Sequence, residues 1–340
     1  MKILVTGATG LIGCHAVAQL LDAGHGVRVF ARNRAKLEPA LAPLGRSEKD
    51  VEVALGQLDD RDSIGRALAG CQGLLHCAGL FSPERADEAL LEATNVEGTR
   101  SVLEVAAGAG LQRAVYVSSI LALAPRGERM TADDQVARPT SMYAATKARA
   151  EQIARSFQHR MPLSIVYPAA VQGPHDPTFS IGPQNVANAL LTGKVLVTDG
   201  GLPTTDVRDL APLLAAVFEG RAESPRLMGP SFYIRHDRYH TLLQQLTGRT
   251  LKAQRMPGWQ MRLLGRFGDV AQRLGRPVQL TYEAALVLTR SVPVDDREAR
   301  RLLGREPITD EASFRDLIDW MLAAGRIDSA AAGRDPSARG

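Results

Sequence analysis

The chain opens on an apolar run, Ile3-Leu4-Val5, which breaks at Gly7 and resumes at Leu11 as a helical pattern. Short aliphatic runs of the same kind recur at Val27–Phe30, Val51–Gly56, Gly73–His76, Ala114–Val117 and Leu163–Tyr167. Runs of this length, rich in aliphatic residues, read as strands, and Gly73–His76 reads as a buried one. Helical patterns lie between them: Arg61 to Ala69 behind the acidic Asp59-Asp60, Glu84 to Gly108, and one starting near Thr140-Ser141 that Pro162 stops. Strands alternating with helices over short links predict an α/β fold of Rossmann type, a doubly wound parallel sheet with right-handed crossovers.

Past Pro174 the pattern loosens, with helices near Val186–Leu191 and Val207–Phe218. The expected organisation is a core over 1–174 and a mixed segment over 175–325, which adds a smaller lobe and returns the 207–218 helix to the core. A flexible tail over 326–340 would follow. Trp259, Met261, Leu263, Leu264 and Phe267 form an apolar helical face, expected to be packed within the lobe.

At 340 residues the chain can bury a large core, and 45% hydrophobic with 23% charged residues is ordinary for a globular protein. The net charge of +4, with arginines dispersed along the sequence, gives no reason to expect nucleic acid but suits an anionic cofactor. Cys14, Cys71 and Cys77 form no CxxC pair, and no zinc-like spacing appears, so reduced thiols and no metal are expected. No apolar run is long enough to cross a bilayer, and the chain enters its first strand after one lysine. The expectation is a soluble, cytoplasmic protein with no membrane partner.

The glycine turn changes the picture from architecture to chemistry. Gly7, Gly10 and Gly13, with Thr9, Leu11 and Ile12 among them, put uncovered helix N-terminal amides where an anion such as a pyrophosphate could lie against the backbone. The second strand ends at Ala31-Arg32-Asn33-Arg34, where a carboxylate would select NAD and an arginine accommodates the 2′-phosphate of NADP. Arg32 therefore favours NADP(H), with NAD(H) as the alternative, and Arg34 and Lys36 lie beside it. Small residues at Cys77-Ala78-Gly79 let something flat lie against a strand end. Tyr143 and Lys147 are four apart and share a helix face, and an ammonium beside a phenol favours the phenolate. Ser119 ends another strand at the same sheet edge, with no G-x-S-x-G elbow to make it a hydrolytic nucleophile.

Thr6-Gly-Ala-Thr-Gly-Leu-Ile-Gly13, Cys77-Ala-Gly79, Asn95-Val-Glu-Gly98, Tyr116-Val-Ser-Ser119, Tyr143-x-x-x-Lys147, Pro168-Ala-Ala-Val171 and Asp206-Val-Arg-Asp-Leu-Ala211 together resemble the extended short-chain dehydrogenase/reductase superfamily. The resemblance spans roughly the first 210 residues. It implies that Tyr143 is the acid/base, that Lys147 holds the nicotinamide ribose and lowers the tyrosine pKa, and that Ser119, rather than its neighbour Ser118, orients the reacting oxygen. By the same resemblance Asn95 helps order the lysine through water. Leu58, Cys77, Ala78 and Gly79 would line the dinucleotide path, with Pro168 and Val171 near the carboxamide. Gln57 stands where the family usually has an aspartate for the adenine amino group; its amide oxygen can still accept. Relatives often form homodimers through the helices here holding Asn95 and Tyr143.

Ile120-Leu-Ala-Leu123 after the serine lacks the acid and base pair that dehydratases resemble, and Tyr167 to Pro174 looks more like the dihydroflavonol-reductase and 3-beta-hydroxysteroid-dehydrogenase branch than a nucleotide-sugar epimerase. The expectation is an NADPH-dependent reductase of a hydrophobic ketone or aldehyde. Phe81, Leu121 and the Trp259–Phe267 segment would supply an apolar wall. The alternatives are an epimerase and a non-catalytic cofactor-binding sensor. His236 and His240 have helical ligand spacing but no HExxH glutamate, so a solvated surface pair is expected; His76 is expected to be a packed core histidine, and His175-Asp176 lies in a loop beside the site.

Overall fold

A computed structural model of the protein describes residues 1–82, 85–139, 141–274, 276, 278 and 280–334. Its centre is a sheet of seven strands: β1 (Lys2–Thr6), β2 (Gly26–Ala31), β3 (Glu52–Leu55), β4 (Gly73–His76), β5 (Arg113–Val117), β6 (Leu163–Tyr167) and β7 (Arg226–Met228). They lie in the order β7-β6-β5-β4-β1-β2-β3, every neighbouring pair parallel. The chain winds outward from β1 to β3, then crosses back to lay β4 on the other side of β1. That reversal opens a crevice beyond the carboxyl ends of β1 and β4, where Gly7 and Cys77 follow the strands.

The two-residue pleat explains why the central strands carry apolar residues on both faces. Ile3 and Val5 face one core and Leu4 the other; Val115 and Val117 share the first, Ala114 and Tyr116 the second. Helices α1 (Leu11–Asp22), α2 (Arg61–Leu68), α3 (Gly98–Ala107), α4 (Met142–Phe157) and α5 (Val207–Phe218) cover these faces. α1 and α5 pack together on one side, α2, α3 and α4 on the other. A third core gathers Val186, Leu190, Ile234, Leu242 and Leu243 with Phe314, Leu317 and Met321 of a late helix. Helices α6 (Gly258–Arg273), α7 (Tyr282–Arg290) and α8 (Asp310–Ala323) belong to this later half of the chain.

Several expectations differ from what the chain does. The pattern from Glu84 to Gly108 is not one helix, and Glu84 itself lies outside the described residues. From Arg85 the chain forms a 3-10 turn, a short α-turn over Glu88–Leu91 and a π-turn over Glu92–Glu97 before α3 begins. A π-turn inserts a residue and re-aims side chains, and this one carries Asn95. Thr140 also lies outside the described residues. The expected frayed tail is corrected for Ile327 to Arg334: Ile327, Ala331 and Ala332 are buried in the third core, because their apolar side chains find Leu-rich partners there. Residues 335–340 are outside the described range. The packed apolar face expected at Trp259 is corrected too. Met261 is 2% exposed, but Trp259 is 60% and Phe267 64%, since α6 packs against the fold through glycines instead.

Candidate active site

The glycine turn has a shape that only glycine permits. Gly7 sits at φ 77°, and a Cβ there would come within 2.6 Å of the Ala78 amide nitrogen. A Cβ on Gly13 would overlap the carbonyl oxygen of Gly7, so the helix can press onto the turn only without one. α1 starts from Gly10 with no side chain capping its first turn and no acidic residue within it. Uncapped amides, the positive end of the helix and a side-chain-free approach fit a pyrophosphate. Gly13→Ala is expected to cost about 1–3 kcal/mol of stability from overpacking, and to abolish dinucleotide binding. Thermal unfolding and a cofactor titration would check it; unchanged binding would detach the turn from the cofactor.

The other proposed cofactor residues surround this turn. Arg32, beyond the end of β2, is exposed and its side chain has no hydrogen-bond or ion-pair partner among the described residues, and the same is true of the Lys36 side chain. Arg34 is instead engaged with Glu48 at 3.1 Å, and is not free beside them. Gln57 is exposed, while Leu58 packs beneath Gly98. Val171 pairs with Thr205 in a small second sheet, and the carbonyl of Pro168 accepts from Ile120, next to Ser119.

Beneath Gly7 runs a buried string of polar groups. Ala78 donates its amide to Thr6 Oγ1 (3.3 Å), Thr6 Oγ1 is hydrogen-bonded to His76 Nδ1 (2.7 Å), and His76 Nε2 to Thr99 Oγ1 (3.1 Å). Burial, reinforced by the Lys147 charge, pushes the imidazole down to about 3, so His76 is a neutral strut as expected. On α1, His15 is likewise buried, pushed down to about 4 and bonded to the Pro174 carbonyl (3.1 Å).

Tyr143 and Lys147 stand one turn apart on α4. Tyr143 is half-buried with its ring edge against Phe81 (4.7 Å between centroids), and burial pushes its phenol up to about 12. Lys147 is buried, and burial pushes its ammonium down to about 8 despite the opposing pull of Glu151. Its Nζ donates to Tyr116 OH and to the Val117 carbonyl, both at 3.4 Å, which ties the helix to the end of β5. Two residues beyond, the serines part company. Ser118 turns inward and donates to Glu151 (2.8 Å), while Ser119 is half-buried and its Oγ accepts only the Leu121 amide (3.2 Å), leaving its hydroxyl proton to give. Asn95 accepts from the Leu80 amide (2.8 Å) and donates to the Leu80 carbonyl (2.9 Å) and to Thr146 (3.0 Å), so it clamps the segment after Cys77 against the Tyr143 helix.

Sequence reasoning passed over Glu151. It is fully buried, one turn past Lys147, and accepts from Ser118, from Tyr167 OH (2.6 Å) and from Arg155 Nε (2.7 Å). The repeat Tyr143, Lys147, Glu151, Arg155 at four-residue spacing was the available signal. One other reading is corrected. His236 is buried against Thr198 (2.8 Å) and His240 is held by the Leu251 carbonyl (2.8 Å), so they are not a solvated surface pair. His175 takes φ 59° at the head of a loop that Asp176 secures through Thr178 and Ser180. No group of His, Cys, Asp or Glu among the described residues could hold a metal, and no described helix is long and apolar enough to cross a membrane.

Residues 3–227 match the NAD dependent epimerase/dehydratase family. A putative dihydroflavonol 4-reductase of Synechocystis sp. is 26% identical over 337 residues, 95% of each chain. Sterol demethylase protein B of Methylococcus capsulatus is 29% identical, spanning 96% of this chain and 100% of its own. Among solved structures, UDP-glucuronic acid 4-epimerase from Bacillus cereus in complex with NAD superposes with a TM-score of 0.73 at 16% identity, over 95% of this chain and 99% of that one, a likeness of fold.

Proposed function

The chain belongs to the NAD-dependent epimerase/dehydratase family, and from that premise we propose that it is an NADPH-dependent reductase of a ketone or aldehyde on a hydrophobic small molecule. The observation that carries this reading is the setting of Tyr143. Its phenol, protonated at neutral pH, stands beside the half-exposed Phe81 ring, with Lys147 one turn along the same helix. That is a proton donor with an apolar wall, suited to a neutral carbonyl substrate. The full-length relatives named as a reductase and a sterol-processing protein favour the same substrate class.

The glycine cradle would hold the pyrophosphate of the dinucleotide, whose reduced nicotinamide would supply a hydride for the carbonyl carbon. Tyr143 gives its proton to the carbonyl oxygen, and Ser119 donates a hydrogen bond to that oxygen as negative charge develops. Lys147 binds the nicotinamide ribose; the expectation that it lowers the Tyr143 pKa is corrected, because burial alone sets the phenol and raises it, while the ammonium is turned to Tyr116 OH and the Val117 carbonyl. Asn95 holds the Leu80 segment against α4 so that these groups keep their spacing.

NADPH oxidation against a panel of hydrophobic ketones, aldehydes and nucleotide sugars tests the reading. Turnover is expected with the first two groups; conversion of nucleotide sugars alone would make the protein an epimerase. Tight cofactor binding with no turnover on any of the three would make it a sensor. For cofactor choice, Arg32→Ala is expected to weaken NADPH about tenfold or more while leaving NADH within about twofold, the worth of one charge-assisted phosphate contact. Equal losses in a fluorescence titration would remove Arg32 as the phosphate clamp.

A further inference from the structure

Helix α6 carries an apolar stripe on the side that faces away from the protein. With 3.6 residues per turn, Met261, Gly265 and Gly268 fall on one face. There a Cβ on Gly265 would come within 2.6 Å of the Thr281 carbonyl oxygen, and one on Gly268 would overlap that of Leu280, so this face is seated against the start of α7. Trp259, Leu263, Phe267, Val270 and Leu274 follow at steps of four, four, three and four residues on the opposite face, 47–76% exposed. An aromatic and aliphatic stripe this long, diametrically opposite the packed face, has no partner among the described residues.

The charge beside it is one-sided. Between residues 255 and 276 the sequence has five arginines and one aspartate, a formal +4 that equals the net charge of the whole chain. Arg266 is exposed beside the stripe with its guanidinium over the Tyr282 ring (5.0 Å), and Arg255 and Arg276 are exposed just before and after it in sequence, while Arg262 is turned to Thr289 Oγ1 (2.9 Å). Asp269 is turned to the other side, where it accepts from the Tyr282 amide (3.2 Å). Exposed Trp, Leu and Phe along one face with arginines at its edge are what a helix lying in a lipid–water interface presents: rings and aliphatic chains enter the acyl boundary while guanidinium groups meet anionic headgroups.

We propose that α6 docks the protein peripherally onto an anionic bilayer surface, lying in the plane of the interface without spanning it. The inference is independent of the reaction at Tyr143. It has a consequence for it, because the same helical hairpin reaches α4: Glu283 of α7 accepts from the amide and the hydroxyl of Ser141, both at 2.6 Å, just ahead of Tyr143. Docking would hold the Tyr143 helix close to a pool of lipophilic substrate.

The test uses the full chain with vesicles of phosphatidylcholine containing about one third phosphatidylglycerol, against vesicles of phosphatidylcholine alone. Co-sedimentation with the anionic vesicles is expected, with a blue shift of tryptophan emission and release by salt, which screens the arginine contribution. The double variant Leu263→Glu, Phe267→Glu is expected to weaken association at least about tenfold. Leu191→Glu, at a residue 56% exposed elsewhere, should leave it unchanged. Circular dichroism would verify that both variants fold. Absence of wild-type association, or equal association of the double variant and the control, overturns the proposal. So does a wild-type dimer in vesicle-free solution that the double variant converts to monomer, because the stripe would then be an interface between copies of this chain.

Discussion

Tyr143→Phe is expected to lower kcat for carbonyl reduction by about three orders of magnitude while NADPH affinity stays within about twofold, within the range spanned by loss of a positioned general acid. The argument rests on what the substitution leaves in place. The ring keeps its edge contact with Phe81, and the phenolic hydroxyl has no hydrogen-bond partner among the described residues, so no fold-stabilising bond is lost. Thermal stability should therefore stay within the scatter of a surface substitution, about 0.5 kcal/mol. Chemistry and folding are separated in one variant. Stopped-flow single turnover with NADPH would report the chemical step directly, and a rate within tenfold of wild type would remove Tyr143 from the role of proton donor.

The glycine turn, the strand ends and the Tyr-Lys pair were legible because each depends on residue type at fixed local spacing. Gly7 needs a positive φ, Gly13 needs no Cβ, and four residues is one helical turn. Six of the seven parallel strands could be located within a residue or two from short runs rich in β-branched and aliphatic residues, whereas the edge strand Arg226–Met228, three residues long, was passed over. Asn95 and Glu151 are different. What they do is set by partners 15 to 51 residues away for Asn95 and 33 residues away for the Ser118 bond to Glu151, and the π-turn that aims Asn95 leaves no mark in the hydrophobic pattern. The Trp259 stripe misled for a related reason. Periodicity reports that a helix has an apolar face, not whether anything covers it, and here glycines took the packing contact. The buried histidines show the same limit: nothing local distinguishes His236, enclosed beside Thr198, from a solvated residue.

Glu151→Gln is expected to move the alkaline limb of the pH profile for reduction to lower pH by about one unit and to lower thermal stability by about 2 kcal/mol or more. Burial is the larger influence on Lys147 and takes its ammonium down to about 8; the Glu151 carboxylate opposes it. The sign follows. Wild-type Lys147 is charged below about 8 and neutral above, so its grip on the nicotinamide ribose, and with it reduction, should fail as pH rises through that value. Removing the carboxylate lowers the lysine pKa further, so failure begins at lower pH. Stability falls because Ser118, Tyr167 and Arg155 all direct donors at the two carboxylate oxygens, and a carboxamide replaces one acceptor with a donor. A purely structural role would lower the melting temperature and leave the limb of kcat/KM where it stands. Glu151→Asp keeps the charge and is expected to restore the limb toward the wild-type pH even where packing is not recovered. A limb that ignores both substitutions would confine Glu151 to holding β5, β6 and α4 together.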